Sequence, residues 1–193
     1  ARHHMGYVLM NLNRLDEAEV ELRRAMSLQP QNAGYVNTFG LLREAQHEID
    51  EATRLFLRAI EMQPELAHAW NNLGTIEAAV WGNLEKSLEY FDRVLALKPH
   101  FSFARHHRGM VELTLGDFAR GWANYEFRPA QAHRPLMRFR QPVWCGEPLA
   151  GKTILLHAEQ GLGDTLQCIR YAQHIKKLGA TVICEAQKQL LKL

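Results

Sequence analysis

Small residues and large apolar residues recur along the first two thirds of the chain at one fixed interval. Gly6, Gly40 and Gly74 stand 34 residues apart and Gly109 follows after 35, while Pro30, Pro64 and Pro99 keep the same two intervals. Between these markers lie Ala18, Leu22 and Ala25 in the first unit, Ala52, Phe56 and Ala59 in the second, and Phe91 in the third. A period of this length belongs to a repeated supersecondary unit. Gly and Ala at the contact points let two antiparallel helices approach closely, the larger apolar residues fill the space between them, and Pro ends the second helix. The pattern predicts helix pairs over 1–32, 33–66, 67–101 and 102–128, with short polar turns such as Asn13–Arg14 and Gly116–Asp117 inside the units. Unit three carries one extra residue near Trp81, Gly82 and Asn83, a lengthened turn, and has Ser87 where Ala recurs. Unit four keeps Gly121 and Tyr125 in the second-helix places but loses the terminal pattern at Arg128 and Pro129, as a capping unit would. Ala1 falls partway into a first helix, so the chain is expected to begin inside a repeat.

Beyond Pro129 the period disappears. Residues 129–152 hold Pro129, Pro135, Pro142 and Pro148 with Arg134, Arg138 and Arg140, a basic extended connector that Phe139 and Trp144 are expected to pin to a neighbouring surface. The run from Thr153 to Ala158 reads as a strand and is followed by a Gly-containing loop. A helix spaced on Leu166, Ile169, Ile175 and Leu178 comes next; Gly179 stops it before a second strand, Ala180 to Glu185. The predicted fold class is therefore mainly α: an α-solenoid of helix pairs, then the first β-α-β of a Rossmann-like α/β domain over 153–193. Two parallel strands alone leave unpaired edges, from which self-association or poor order is expected.

The 193 residues are 47% apolar and 23% charged, an ordinary globular composition. No apolar run approaches the roughly 20 residues that span a bilayer. The net charge of +2 is too small to force a nucleic-acid partner. It is unevenly spread, at −4 over 1–100 and +6 over 101–193. Cys145, Cys168 and Cys184 form no CxxC pair and are odd in number, so neither a zinc ribbon nor a disulfide framework is indicated. A reducing compartment, the cytoplasm, is the expected location.

Trp70, Leu73 and Gly74, then Phe91 and Pro99, resemble the pattern of the tetratricopeptide repeat, and the resemblance covers 1–128 and implies a right-handed superhelix. In such arrays first helices line a concave surface, and the positions three and two before each marker Gly should face it: His3 and His4, Asn37 and Thr38, Asn71 and Asn72, His106 and His107. Amides and imidazoles donate and accept, so a ladder of them can grip the backbone of an extended peptide. The repeat arrays of eukaryotic O-GlcNAc transferases carry a comparable Asn ladder. The alternative is a face of merely solvated polar side chains. Neighbouring residues on a helix point about 100° apart, so His106 and His107 cannot share one metal ion, and no metal is expected.

Gly146-Glu-Pro-Leu-Ala-Gly151-Lys152-Thr153 matches the P-loop pattern by letter, but that motif needs a strand before it and a helix after it; here a strand follows, and the run reads as a turn. Gly161 and Gly163 partly fit a dinucleotide fingerprint, with Glu185 near the place of a ribose-binding acid. Leu166 at the third-glycine place argues against a nicotinamide or flavin site. The run Leu155 to Gln167, with Arg170 and Tyr171, resembles the first βα turn of heptosyltransferase-related GT-B glycosyltransferases. It is closer to bacterial proteins that join such a domain to tetratricopeptide repeats. Gly116-Asp117-Phe118, Gly121-Trp122, Tyr125-Glu126 and Trp144 through Leu149 resemble the same group. The resemblance implies sugar transfer from a nucleotide donor, with the loop Gly161, Gly163 and Asp164 at the site and Asp164 as general base. The other reading of Asp164 is a helix N-cap bonded to the backbone of Leu166 or Gln167. His157 and Glu159 are weaker candidates, His157 as a hydrogen-bonded core residue.

A GT-B enzyme needs a second α/β domain, for which these residues leave no room, so the chain alone is expected to be inert and to have no cofactor of its own. The leading expectation is a module that recruits a protein or peptide to an attached glycosyltransferase. The rivals are the N-terminal part of a nucleotide-sugar-dependent enzyme and a non-enzymatic scaffold.

Overall fold

The structure, a computed structural model, describes residues 2–127, 141–158 and 161–190. The chain divides into two compact units, Ala1–Pro129 and Ala130–Leu193.

The first unit is four helix pairs: α1 (Arg2–Asn11) with α2 (Leu15–Leu28), α3 (Ala33–Ala45) with α4 (Ile49–Met62), α5 (Ala67–Ala79) with α6 (Leu84–Leu97), and α7 (Ser102–Thr114) with α8 (Phe118–Tyr125). Every turn inside a pair is built alike. Asn13, His47, Gly82 and Gly116 hold a positive φ at repeat-equivalent places, a conformation that Gly adopts without penalty and Asn more readily than most side chains. The amide that follows closes back on the first helix, Arg14 on the Leu9 carbonyl and Glu48 on the Arg43 carbonyl, each at 2.9 Å. In the third pair the extra residue widens this ring, and Asn83 reaches the Glu77 carbonyl at 2.8 Å.

The marker glycines sit where the paired helices cross. A Cβ on Gly40 would lie 2.5 Å from Phe56 Cε1, and one on Gly74 would lie 2.6 Å from Phe91 Cε1. At Gly109 the obstacle is backbone, since the added atom would stand 2.5 Å from the Tyr125 amide nitrogen. Leu22, Phe56 and Phe91 fill the crossings and are fully buried. Each Pro falls two residues past a second helix. The carbonyls of Pro64 and Pro99 accept from Trp70 Nε1 (2.9 Å) and Arg105 Nε (3.1 Å), which stand at equivalent places of the following helices.

The second unit pairs β1 (Thr153–His157) and β2 (Thr181–Glu185) in parallel, with Thr153 opposite Thr181 and His157 opposite Glu185. Leu149, Ile154, Ile175 and Ala180 form its core with Leu156 and Val182 beside them. One expectation is corrected. The single helix through Leu178 is two short helices, α9 (Leu162–Cys168) and α10 (Tyr171–Lys177), separated by a turn at Ile169–Arg170. Of the four apolar residues that defined the helix only Ile175 is buried, because two strands give the floor for little more than one helix. A final 3-10 turn spans Lys188–Leu190. As expected, Gly151 turns into the strand after the P-loop-like run and no helix follows it. Trp144 bonds within its own turn, its indole N–H donating to the Glu147 carbonyl at 2.8 Å. Pro129, Arg134, Pro135, Arg138, Phe139, Arg140 and Glu159 lie outside the described residues.

Candidate protein-binding groove

Consecutive first helices touch one another, and polar side chains make the joints. His3 Nε2 lies 2.8 Å from Thr38 Oγ1, Asn72 Nδ2 donates to Asn37 Oδ1 at 3.0 Å, and His107 Nδ1 lies 3.3 Å from Asn71 Oδ1. One rule covers the three joints: the residue three before the marker Gly of one unit meets the residue two before the marker Gly of the next. The ladder is thus a set of clamps between neighbouring repeats. Asn37, Thr38 and Asn71 are buried in them, Asn72 and His107 are half-buried, and His4 is exposed.

The hydroxyl partners settle the imidazole tautomers. Thr38 donates its one proton to the Gly34 carbonyl (3.0 Å), so His3 carries its proton on Nε2 and donates to Thr38. Thr75 likewise donates to the Asn71 carbonyl (3.0 Å), leaving its oxygen to accept, with Asn71 Oδ1, from His107 Nδ1–H. Burial, and then the neighbouring His106, lower the His107 pKa to about 4. Burial first, with His4 and the N-terminus adding to it, also lowers that of His3.

Beside the clamps runs a row of rings across α5, α7 and α8. His68 meets Phe101 at 5.0 Å, Phe101 meets Phe103 at 6.1 Å, and Phe103 meets His107 at 6.5 Å between centroids. The row continues through His106 to Tyr125 at 4.9 Å and Trp122 at 5.6 Å. Phe103 is 44% exposed and Trp122 57%. Such a strip offers wide apolar faces with polar ring edges, the chemistry that holds an extended chain without reading many of its side chains.

A set of buried charges escaped the sequence analysis. Three residues after the marker Gly stand Arg43, Glu77 and Glu112, all buried. Arg43 forks onto Glu19 of the preceding pair at 2.9 and 3.1 Å. Glu77 takes Lys86 Nζ and, at 2.7 Å, Asn83 Nδ2; Glu112 takes Arg108 Nε at 3.0 Å and Asn124 Nδ2 at 2.7 Å. Their shared register with the glycines was the available signal.

In the second unit Asp164 is exposed in the first turn of α9, while Gly161 occupies the cap position and no side chain caps the helix. The N-cap reading of Asp164 is corrected: the helix starts three residues earlier than expected, at Leu162. Gly161 and Gly163 are exposed beside it, and His157 ends β1. Among the described residues no group of three or more His, Cys, Asp or Glu could hold a metal ion, and no helix is long and apolar enough to cross a membrane.

The tetratricopeptide repeat family model matches residues 1–32. Protein FlbA of Caulobacter vibrioides is 32% identical over 162 residues, taking in 64% of this chain and 27% of that protein. The tetratricopeptide repeat-containing protein trd-1 of Caenorhabditis elegans is 28% identical over 96 residues, 47% of this chain and 12% of its own. The chain thus spans about a quarter of FlbA and less of trd-1. Among solved structures, PilW, described as a widely conserved type IV pilus biogenesis factor, has a TM-score of 0.61 at 21% identity, over 69% of this chain and 62% of that one. A protein of Thermus thermophilus described as a thermophilic TPR protein has a TM-score of 0.61 at 19% identity, over 71% of this chain and 76% of its own.

Proposed function

We propose that this tetratricopeptide-repeat chain is a protein-binding module that takes an extended segment of a partner along its first-helix layer. The observation that carries the reading is the unbroken row of rings from His68 through His107 to Trp122, flanked by the half-buried Asn72. Apolar or proline-bearing side chains of the partner pack on Phe103 and Trp122, and its backbone amides meet Asn72 and His106. The array occupies 1–128, a connector 129–152, and an α/β region the remainder; the free thiols Cys145, Cys168 and Cys184 support a reducing, cytoplasmic setting. A photo-crosslinker in place of Phe103 is expected to capture a defined protein partner, and Asn72→Ala to weaken capture at least tenfold. Equal capture from Arg58, on the exposed side of α4, would overturn the reading.

A second reading is favoured by the parallel β1–β2 pair and by Asp164 in the first turn of α9 behind two glycines. It makes the module the recruiting part of a longer glycosyltransferase that uses a nucleotide-sugar donor, with Asp164 taking the acceptor proton. The longer polypeptide would then transfer sugar to the captured partner, and Asp164→Asn would lower turnover by about a hundredfold or more. Partner capture with no transfer would leave a non-enzymatic scaffold.

A further inference from the structure

The position four after each marker Gly is half-buried in every repeat, at Met10, Glu44, Ala78 and Leu113. Met10 and Ala78 pack against the adjoining core clusters, and Leu113 lies against Gly121. Glu44 puts a carboxyl in that apolar place. It stands two turns along α3 from Asn37 of the clamps and one turn from Leu41, which packs on the core, so it shares their side of the helix, the side of the first-helix layer.

The other carboxylates of the repeat unit that are buried or half-buried each hold a cation among the described residues. Arg43 takes Glu19 and Glu51, Arg24 takes Glu21, Lys86 takes Glu77, Arg108 takes Glu112 and Arg120 takes Asp117. Among the described residues the Glu44 side chain has neither an ion pair nor a hydrogen bond. Burial raises its pKa. It also lies in the last turn of α3, where the carbonyl end of the helix disfavours negative charge. A half-buried carboxylate without a counter-charge works against folding, and the other repeats show that an apolar side chain suits the place.

We propose that Glu44 receives a lysine or arginine side chain of the captured segment. The inference rests on the reading of the first-helix layer as the capture surface, and adds the charge that the partner carries. A segment laid over the rings of α5 to α8 runs on across α3. There the alkyl stem of a basic residue packs beside Leu41 and its charged head meets the Glu44 carboxylate, in a place shielded enough to strengthen the pair beyond an exposed one.

The stability of the chain by itself gives the first test. Glu44→Met installs the side chain that unit one carries at this place, and is expected to raise the thermal midpoint by about 2 °C or more. A midpoint that does not rise would overturn the proposal, since the carboxyl would then cost the fold nothing. The second test selects a random peptide library displayed on phage against the chain. The selected peptides are expected to carry Lys or Arg. Replacing that residue by norleucine should weaken binding to the chain about tenfold or more, and to the Glu44→Gln variant by less than about twofold. Peptides that need Phe103 but show no basic preference, or whose loss with norleucine is the same in both proteins, would overturn the proposal and leave the capture reading standing. A library that yields no peptide sensitive to Phe103→Ala would overturn both.

Discussion

His107 on α7 holds its Nδ1 3.3 Å from Asn71 Oδ1 on α5 and 3.3 Å from the Thr75 hydroxyl one turn further along. The ring works as a neutral donor, and its pKa is lowered to about 4 by burial and then by His106. Its ordinary value is near 6.5, so below that pH the unfolded chain gains a proton that the folded chain refuses. Stability present above pH 6.5 is therefore lost as pH falls toward 4, by roughly 3 kcal/mol. His107→Gln keeps a donor and does not titrate. Urea unfolding of the two proteins at pH 7 and pH 4 should show that much less acid loss in the variant; equal losses would contradict the assignment.

The marker glycines predict a ranking. Alanine at Gly74 meets the rim of the Phe91 ring, which can shift, and is expected to cost about 1–2 kcal/mol. Alanine at Gly109 meets the Tyr125 amide and the Gly121 carbonyl, where only the helices can yield, and is expected to cost about 3 kcal/mol or more. Chemical denaturation of the two variants gives the order directly.

Glu77 is 2% exposed and lies between Lys86 and Asn83 across the widened turn of the third pair. Removing the cation strands a buried carboxylate, so Lys86→Met is expected to cost about 2–3 kcal/mol. Adding Glu77→Gln should recover more than half of it, because the amide accepts from Asn83 without carrying charge. Two additive losses would show that the pair is not coupled.

The repeats were legible because one physical demand recurs four times. Close crossing calls for Gly6, Gly40, Gly74 and Gly109, and a period is visible without any alignment. Which ladder residues face solvent was not legible. The three-before and two-before positions point about 100° apart, and spacing alone does not tell which of them meets the neighbouring first helix: Asn37, Thr38 and Asn71 turn into the joint while His4 stays exposed. Arg43, Glu77 and Glu112 were hidden by a general expectation that charges face water, which fails where a neighbouring side chain supplies the counter-charge, Glu19 to Arg43, Lys86 to Glu77 and Arg108 to Glu112. In the second unit the helix was placed by apolar spacing, and neither Ile169 nor Arg170 is a breaker that would mark the interruption.

The polar ladder clamps neighbouring first helices, and the Asn37–Asn72 hydrogen bond of 3.0 Å is its plainest member. A double-mutant cycle with Asn37→Ala, Asn72→Ala and both together, read by urea unfolding, measures that clamp most directly. A favourable coupling of about 1 kcal/mol between the two amides is expected. Two losses that simply add would contradict it and return both side chains to the role of solvated polar surface.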